Sequence, residues 1–149
     1  MATSEGAQVV LRFDDGSRVV LAQRTDFRVV DYGYIASEPA RDRSIFDLLQ
    51  GALRVVTGAL AKRSRDTFVL RAPQATIGIR GTDFMVAVVN PAYVQVLSGS
   101  VGVSNAGGTF AAAGAVLGIG RVFDAFLFVA VVFLCSAIPA WFLNRRREG

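Results

Sequence analysis

Ala75-Thr76-Ile77-Gly78-Ile79-Arg80-Gly81-Thr82-Asp83-Phe84 is the stretch on which the reading of the chain turns. As a strand it points Ile77 and Ile79 to one side and Thr76, Gly78 and Arg80 to the other, because successive side chains of a strand face opposite ways. Gly78 leaves a gap on the second side, where a neighbouring backbone or ring can approach closely. Gly81 can take a backbone conformation closed to other residues, and Thr82 and Asp83 can bond back to nearby amides, so the strand is expected to turn there. Arg80 offers five donors suited to carbonyls or a carboxylate, and Asp83 is the nearest candidate.

The same strand signature continues on both sides. Residues 8–13 and 18–22 are rich in Val and Leu and flank Asp14-Asp15-Gly16-Ser17, a strong hairpin signal. Further strands read as 27–31, 53–56, 68–71, 76–80, 84–89, 93–97, 101–104 and 110–112. Asn90-Pro91, Ser98-Gly99-Ser100 and Asn105-Ala106-Gly107-Gly108 supply turn chemistry between them. This predicts an all-β fold, a compact sandwich or roll of short, mostly antiparallel strands. Residues 44–49 fit a helical turn capped by Ser44 as well as a strand entering Gly51, and 31–43 read as a loop.

After Asp124 the chain changes character. Residues 125–143 carry no charge, and as a helix they would extend about 29 Å, close to the ~30 Å hydrocarbon layer of a bilayer. Trp141 and Phe142 stand near the end of this run and Arg145, Arg146 and Arg147 follow it, the flanks of a C-terminal transmembrane helix. The domain reading is a β domain over 1–114, a linker over 115–124, a membrane span over 125–143 and a basic tail over 144–149.

The net charge of +4 does not indicate nucleic-acid binding, since half of it comes from Arg145, Arg146 and Arg147 against Glu148. The remaining charges alternate in sign, and the basic run Lys62-Arg63-Ser64-Arg65 has no interleaved aromatics. With no histidine and a single cysteine, Cys135, the chain lacks His-based catalytic pairs, most metal sites and any internal disulfide. Asp14 and Asp15 are adjacent in a tight turn, where carboxylates are solvated and do not form an acid–base pair. Arg80, Thr82 and Asp83 imply no activated nucleophile. The expectation is therefore a non-catalytic protein with no cofactor, no metal and no small-molecule substrate.

The stretch at 75–84 also carries a family resemblance. Together with Phe13-Asp14-Asp15-Gly16-Ser17-Arg18-Val19, Leu49-Gln50-Gly51-Ala52-Leu53-Arg54-Val55-Val56-Thr57-Gly58 and Val96-Leu97-Ser98-Gly99-Ser100-Val101, it resembles the FecR-type domain of bacterial envelope regulators from about Ala7 to Gly114. The resemblance implies a protein-binding sensor module whose partner is another protein, an envelope receptor or regulator. Thr76, Gly78, Arg80, Gly81, Thr82, Asp83 and Phe84 would then specify the bend structurally or recognise that partner. An envelope scaffold without a signalling role is the alternative.

Two features depart from the family pattern. Its domains usually begin with more strands ahead of the Asp-Gly-Ser hairpin, and its regulators carry their span before the domain. Three arginines after the span against Arg121 before it place the tail in the cytoplasm and the β domain in the periplasm, anchored to the inner membrane. Residues 1–24 nevertheless show no basic-then-apolar leader. An internal start or fragment would account for this, and so would a tail-anchored protein with a cytoplasmic domain.

Overall fold

The Asp-Gly-Ser hairpin joins β1 (Val9–Arg12) to β2 (Arg18–Leu21), with Val9 opposite Leu21 and Arg12 opposite Arg18. There follow β3 (Asp26–Gly33), a 3-10 turn (Pro39–Arg41), β4 (Arg43–Val56), α1 (Ala59–Arg63), β5 (Phe68–Ala72), β6 (Ala75–Val88), β7 (Ala92–Asn105), β8 (Gly108–Ala113) and β9 (Val116–Ile119). This computed structural model describes residues 1–63, 67–89, 92–113 and 116–119, without the side chains of 80, 110, 112, 113 and 116–119. The reading of 125–143 as a span and of 144–149 as a tail lies outside the described residues. Among the described residues no helix is long and apolar enough to cross a membrane.

Among the described residues the nine strands belong to one sheet, and every pairing is antiparallel except β4 with β5. Three strands are long, fourteen residues each, and each serves two layers. In the first layer the order is β1, β2, the second half of β4, the second half of β6, the first half of β7, and β9. In the second layer it is β3, the first half of β4, β5, the first half of β6, the second half of β7, and β8. The strands cross between layers at glycines of positive φ: β4 at Gly51 (φ 89°), β6 at Gly81 (51°) and β7 at Gly99 (83°). β4 crosses at one end of the first layer, beside Val88, and β6 crosses at the other, beside Val56. Corners made by strands that switch layers are the way a continuous sheet closes on itself.

The facing sides of the two layers make one apolar core. Leu21, Leu53, Val55, Phe84, Val86 and Val94 come from the first layer, and Phe27, Phe46, Leu48, Leu70, Ile77 and Val103 from the second. A run of rings links them, Phe13 to Phe46 at 5.3 Å, Phe46 to Phe68 at 5.3 Å and Phe68 to Phe84 at 6.2 Å, the last edge to face. Tilted and edge-on geometries match the ring quadrupoles, so these contacts add to the burial.

The sequence reading holds in that the chain is mostly β, and the structure differs from it or adds to it in detail. Gly81-Thr82-Asp83 and Ser98-Gly99-Ser100 are bends within β6 and β7, not turns between separate short strands. Of the two readings open for residues 44–49 the strand is the one formed, and the loop expected at 31–43 begins inside β3. Residues 59–63 form a short helix. Part of the expected linker, Val116–Ile119, is β9, paired with the start of β7.

Candidate functional site

The motif at 75–84 forms the corner where β6 leaves the second layer for the first. Ile77 and Ile79 are buried as alternation requires, Thr76 is exposed and Gly78 half-exposed on the outer side. The close approach expected at Gly78 is not there. A side chain at that position would meet nothing within 4 Å, and its cross-strand neighbour is another glycine, Gly102.

The corner is held by bonds between strands. The register between β6 and β7 shifts on both sides of Asp83, which marks a bulge. A bulge bends its strand and re-aims the side chains next to it. The Thr82 amide donates to the Thr57 hydroxyl at 2.7 Å, and that hydroxyl donates to the Thr82 carbonyl at 3.0 Å. The Thr57 amide donates to the same carbonyl at 3.1 Å. The Thr82 hydroxyl donates to the Ser100 carbonyl at 2.9 Å. Thr82 thus ties β6 to the end of β4 and to β7, whereas the sequence reading had it bonding locally.

Asp83 takes a bidentate contact from Arg54 of β4, Nε to Oδ1 at 2.9 Å and Nη2 to Oδ2 at 2.6 Å. The fork of a guanidinium matches a carboxylate in this geometry, and the bond raises the Arg54 pKa above its ordinary value. The sequence reading had offered Asp83 to Arg80, whose side chain lies outside the described residues. Phe84 is fully buried against Phe68.

The residue demanded most by this geometry is Gly81. Its φ of 51° suits glycine or asparagine, and a Cβ there would make only ordinary contact, 3.6 Å from Lys62 Cγ. Gly81→Val should therefore cost about 1–2 kcal/mol through backbone strain. Gly81→Asn should recover most of that loss, since asparagine tolerates this region. Denaturant midpoints of the two variants check the pair, and equal midpoints would remove the strain explanation.

Sequence reasoning missed a second polar centre. Asp15 is buried, not solvated. Its carboxylate accepts from the Ser17 amide (3.0 Å), the Ser17 hydroxyl (2.6 Å), the Tyr32 hydroxyl (3.3 Å) and the Leu60 amide (3.3 Å). Its carbonyl accepts from the Ala59 amide at 2.8 Å, and the Ser17 hydroxyl accepts from the Gly58 amide at 2.8 Å. The hairpin turn thereby caps the first turn of α1, whose leading amides have no partner inside the helix. Burial, with the Asp15 charge beside it, pushes the Tyr32 phenol up to about 12. Nothing in the spacing of Asp14 and Asp15 distinguishes the buried carboxylate from the exposed one.

A third arrangement pins the segment before β4. Arg63 at the end of α1 donates from Nε and Nη2 to both oxygens of buried Asp42, each at 2.7 Å. It also donates to the Ile35 and Ala36 carbonyls at 2.9 Å and stacks over Tyr34 at 4.7 Å. Bonding to Arg63 lowers the Asp42 pKa below its ordinary value of 3.8. The clamp is complete above that ordinary value and is lost as pH falls through the depressed one. Arg63→Ala leaves the Asp42 carboxylate buried without its partner, so 34–42 should become a preferred protease site while the strands stay protected. Limited proteolysis with mapped cut sites reads this directly.

With the corner and its supports in view, the molecule is a small module built from one rolled β sheet. The chain belongs to the FecR protein family, whose model matches residues 1–102. Two crystal structures of a candidate anti-sigma factor from Parabacteroides distasonis ATCC 8503, at 2.50 and 1.65 Å resolution, share the fold. Their TM-scores are 0.59 and 0.58 at 19% sequence identity, over 80% of this chain and 58% of theirs. The chain therefore spans little more than half the length of those neighbours. No curated protein matches it.

Proposed function

We propose that this chain is a non-catalytic, membrane-attached binding module of an envelope signalling regulator. Membership of the FecR family over residues 1–102 carries the reading. The shared fold with a candidate anti-sigma factor supports it. Thr82 and Asp83 of the motif are engaged in holding the corner, which suits a scaffold that presents strands and loops to a partner protein. Residues 125–143 anchor the module in the inner membrane, and the arginines at 145–147 keep that end in the cytoplasm.

The test has two parts on the full chain. Fractionation should place it in membranes, and protease added to spheroplasts should digest the β domain. A chain that stays soluble without detergent sinks the anchor, and a protected β domain reverses the topology. Purified in detergent, the chain should bind the sigma regulator or outer-membrane receptor encoded beside it. A folded chain that binds neither would remove the signalling role.

A further inference from the structure

A face of a sheet layer that meets water is expected to alternate with the core side and to be polar. The outer face of the first layer mixes apolar side chains with a few charges. Val10, Val20, Val56, Met85, Ala87 and Tyr93 all lie on it, each at least partly exposed, with Val10 at 52% and Tyr93 at 38%. The register sets Val10 against Val20 and Ala87 against Tyr93, with Arg54, paired to Asp83, standing between Val20 and Met85. Exposed apolar residues grouped on one face, with basic residues at its edge, are the composition of a contact surface.

Its charges are as telling as its apolar residues. Arg54 on this face is neutralised by Asp83. Arg12 and Arg18 stand directly opposite one another on β1 and β2, both exposed, and neither has an anionic partner among the described residues. Like charges facing across a strand pair destabilise the sheet. Water screens this repulsion, and an anionic surface outside the protein would relieve it.

The path of the chain says which surface. β9 is the outermost strand of this same layer, and its last residue, Ile119, pairs with Ala92, next to Tyr93. Residues 120–124 separate it from the apolar run at 125–143. Five residues reach about 17 Å at most. We propose that this face rests on the bilayer surface, with the apolar side chains at the headgroup boundary and Arg12 and Arg18 on anionic phospholipid. The inference deepens the reading of 125–143 as a membrane anchor and rests on it. An apolar face with basic residues is what binds the interface of an anionic membrane, and a short tether keeps it within reach.

The experiment uses the full chain with Val10→Cys in a Cys135→Ala background, labelled with an environment-sensitive fluorophore and mixed into vesicles. One set is phosphatidylcholine, the other phosphatidylcholine with phosphatidylglycerol, and both contain a spin-labelled quencher lipid. The expected result is flotation with both sets and strong quenching only in the anionic one. Arg12→Ser/Arg18→Ser should reduce that quenching to the neutral-lipid level at a melting temperature no lower than that of the wild type. Flotation with an unquenched, water-like probe overturns the proposal and leaves the anchor intact. Flotation only with anionic vesicles, dependent on Arg12 and Arg18, sinks the anchor and keeps the face. No flotation with either set ends both. A probe that is buried yet unquenched, with Val10→Cys chains cross-linking to each other, places a second copy on the face and overturns the proposal.

Discussion

A Gly58→Ala chain should lose about 3 kcal/mol of stability, an unusually large effect for the addition of one methyl group. A Cβ at Gly58 would overlap the Asp15 carbonyl oxygen and lie 2.6 Å from the Ser17 nitrogen and 2.8 Å from the Asp15 carbonyl carbon. All three are backbone atoms of the hairpin turn, so no side chain can rotate away. The turn can only retreat, and in doing so it gives up its bonds to the Gly58, Ala59 and Leu60 amides. Leu60 and Ala61, both buried, would lose their support next. Chemical denaturation of the full chain measures the effect. A midpoint within error of the wild type would mean that the hairpin does not dock on α1 as described.

Gly51→Ala should be worse, about 4 kcal/mol, because two separate costs combine. At φ 89° alanine is strained by its own backbone. Its Cβ would also overlap the Thr25 hydroxyl and sit 2.5 Å from Thr25 Cα and 2.7 Å from the Arg24 carbonyl. Displacing Thr25 breaks its hydroxyl's bonds to both the amide and the carbonyl of Ala52, each 3.1 Å. The useful comparison is Gly81→Ala, which meets backbone strain with no overlap. Equal losses at the two positions would show that strain alone operates at Gly51.

These positions also show where the sequence was legible. The hairpin at Asp14-Asp15-Gly16-Ser17 could be read because turn chemistry there coincides with a chain reversal. At Gly81 and Gly99 the same chemistry accompanies a corner, and a glycine of positive φ looks alike in both. The period-two pattern was plain in Ile77 and Ile79 and again in Phe84 and Val86, and the bulge between the two pairs shifts its phase by one residue. The first half of β4 lacked that clarity, since Ile45, Leu48 and Leu49 suit a helix as well as a strand until β3 and β5 flank them. Partners far apart in the chain were the least accessible. Asp83 faces Arg54, 29 residues away, and Arg63 faces Asp42, 21 residues away, because the fold brings them together and spacing does not.

The crossing of β4 between layers has a consequence for the order in which the chain is made. Once the chain has emerged as far as Val56 into the compartment where it folds, β4 has β2 beside one half and β3 beside the other, both on the same flank. Its opposite flank belongs to β5 and β6, which begin at Phe68 and Ala75 and complete their pairing only at Val88. Until then a fourteen-residue strand offers an unpaired edge, with Phe46, Leu48, Leu53 and Val55 uncovered by the ring of Phe84 and its neighbours. Nascent chains in this state are prone to pair with one another. The thirty-odd residues between Val56 and Val88 therefore set how long that edge stays open.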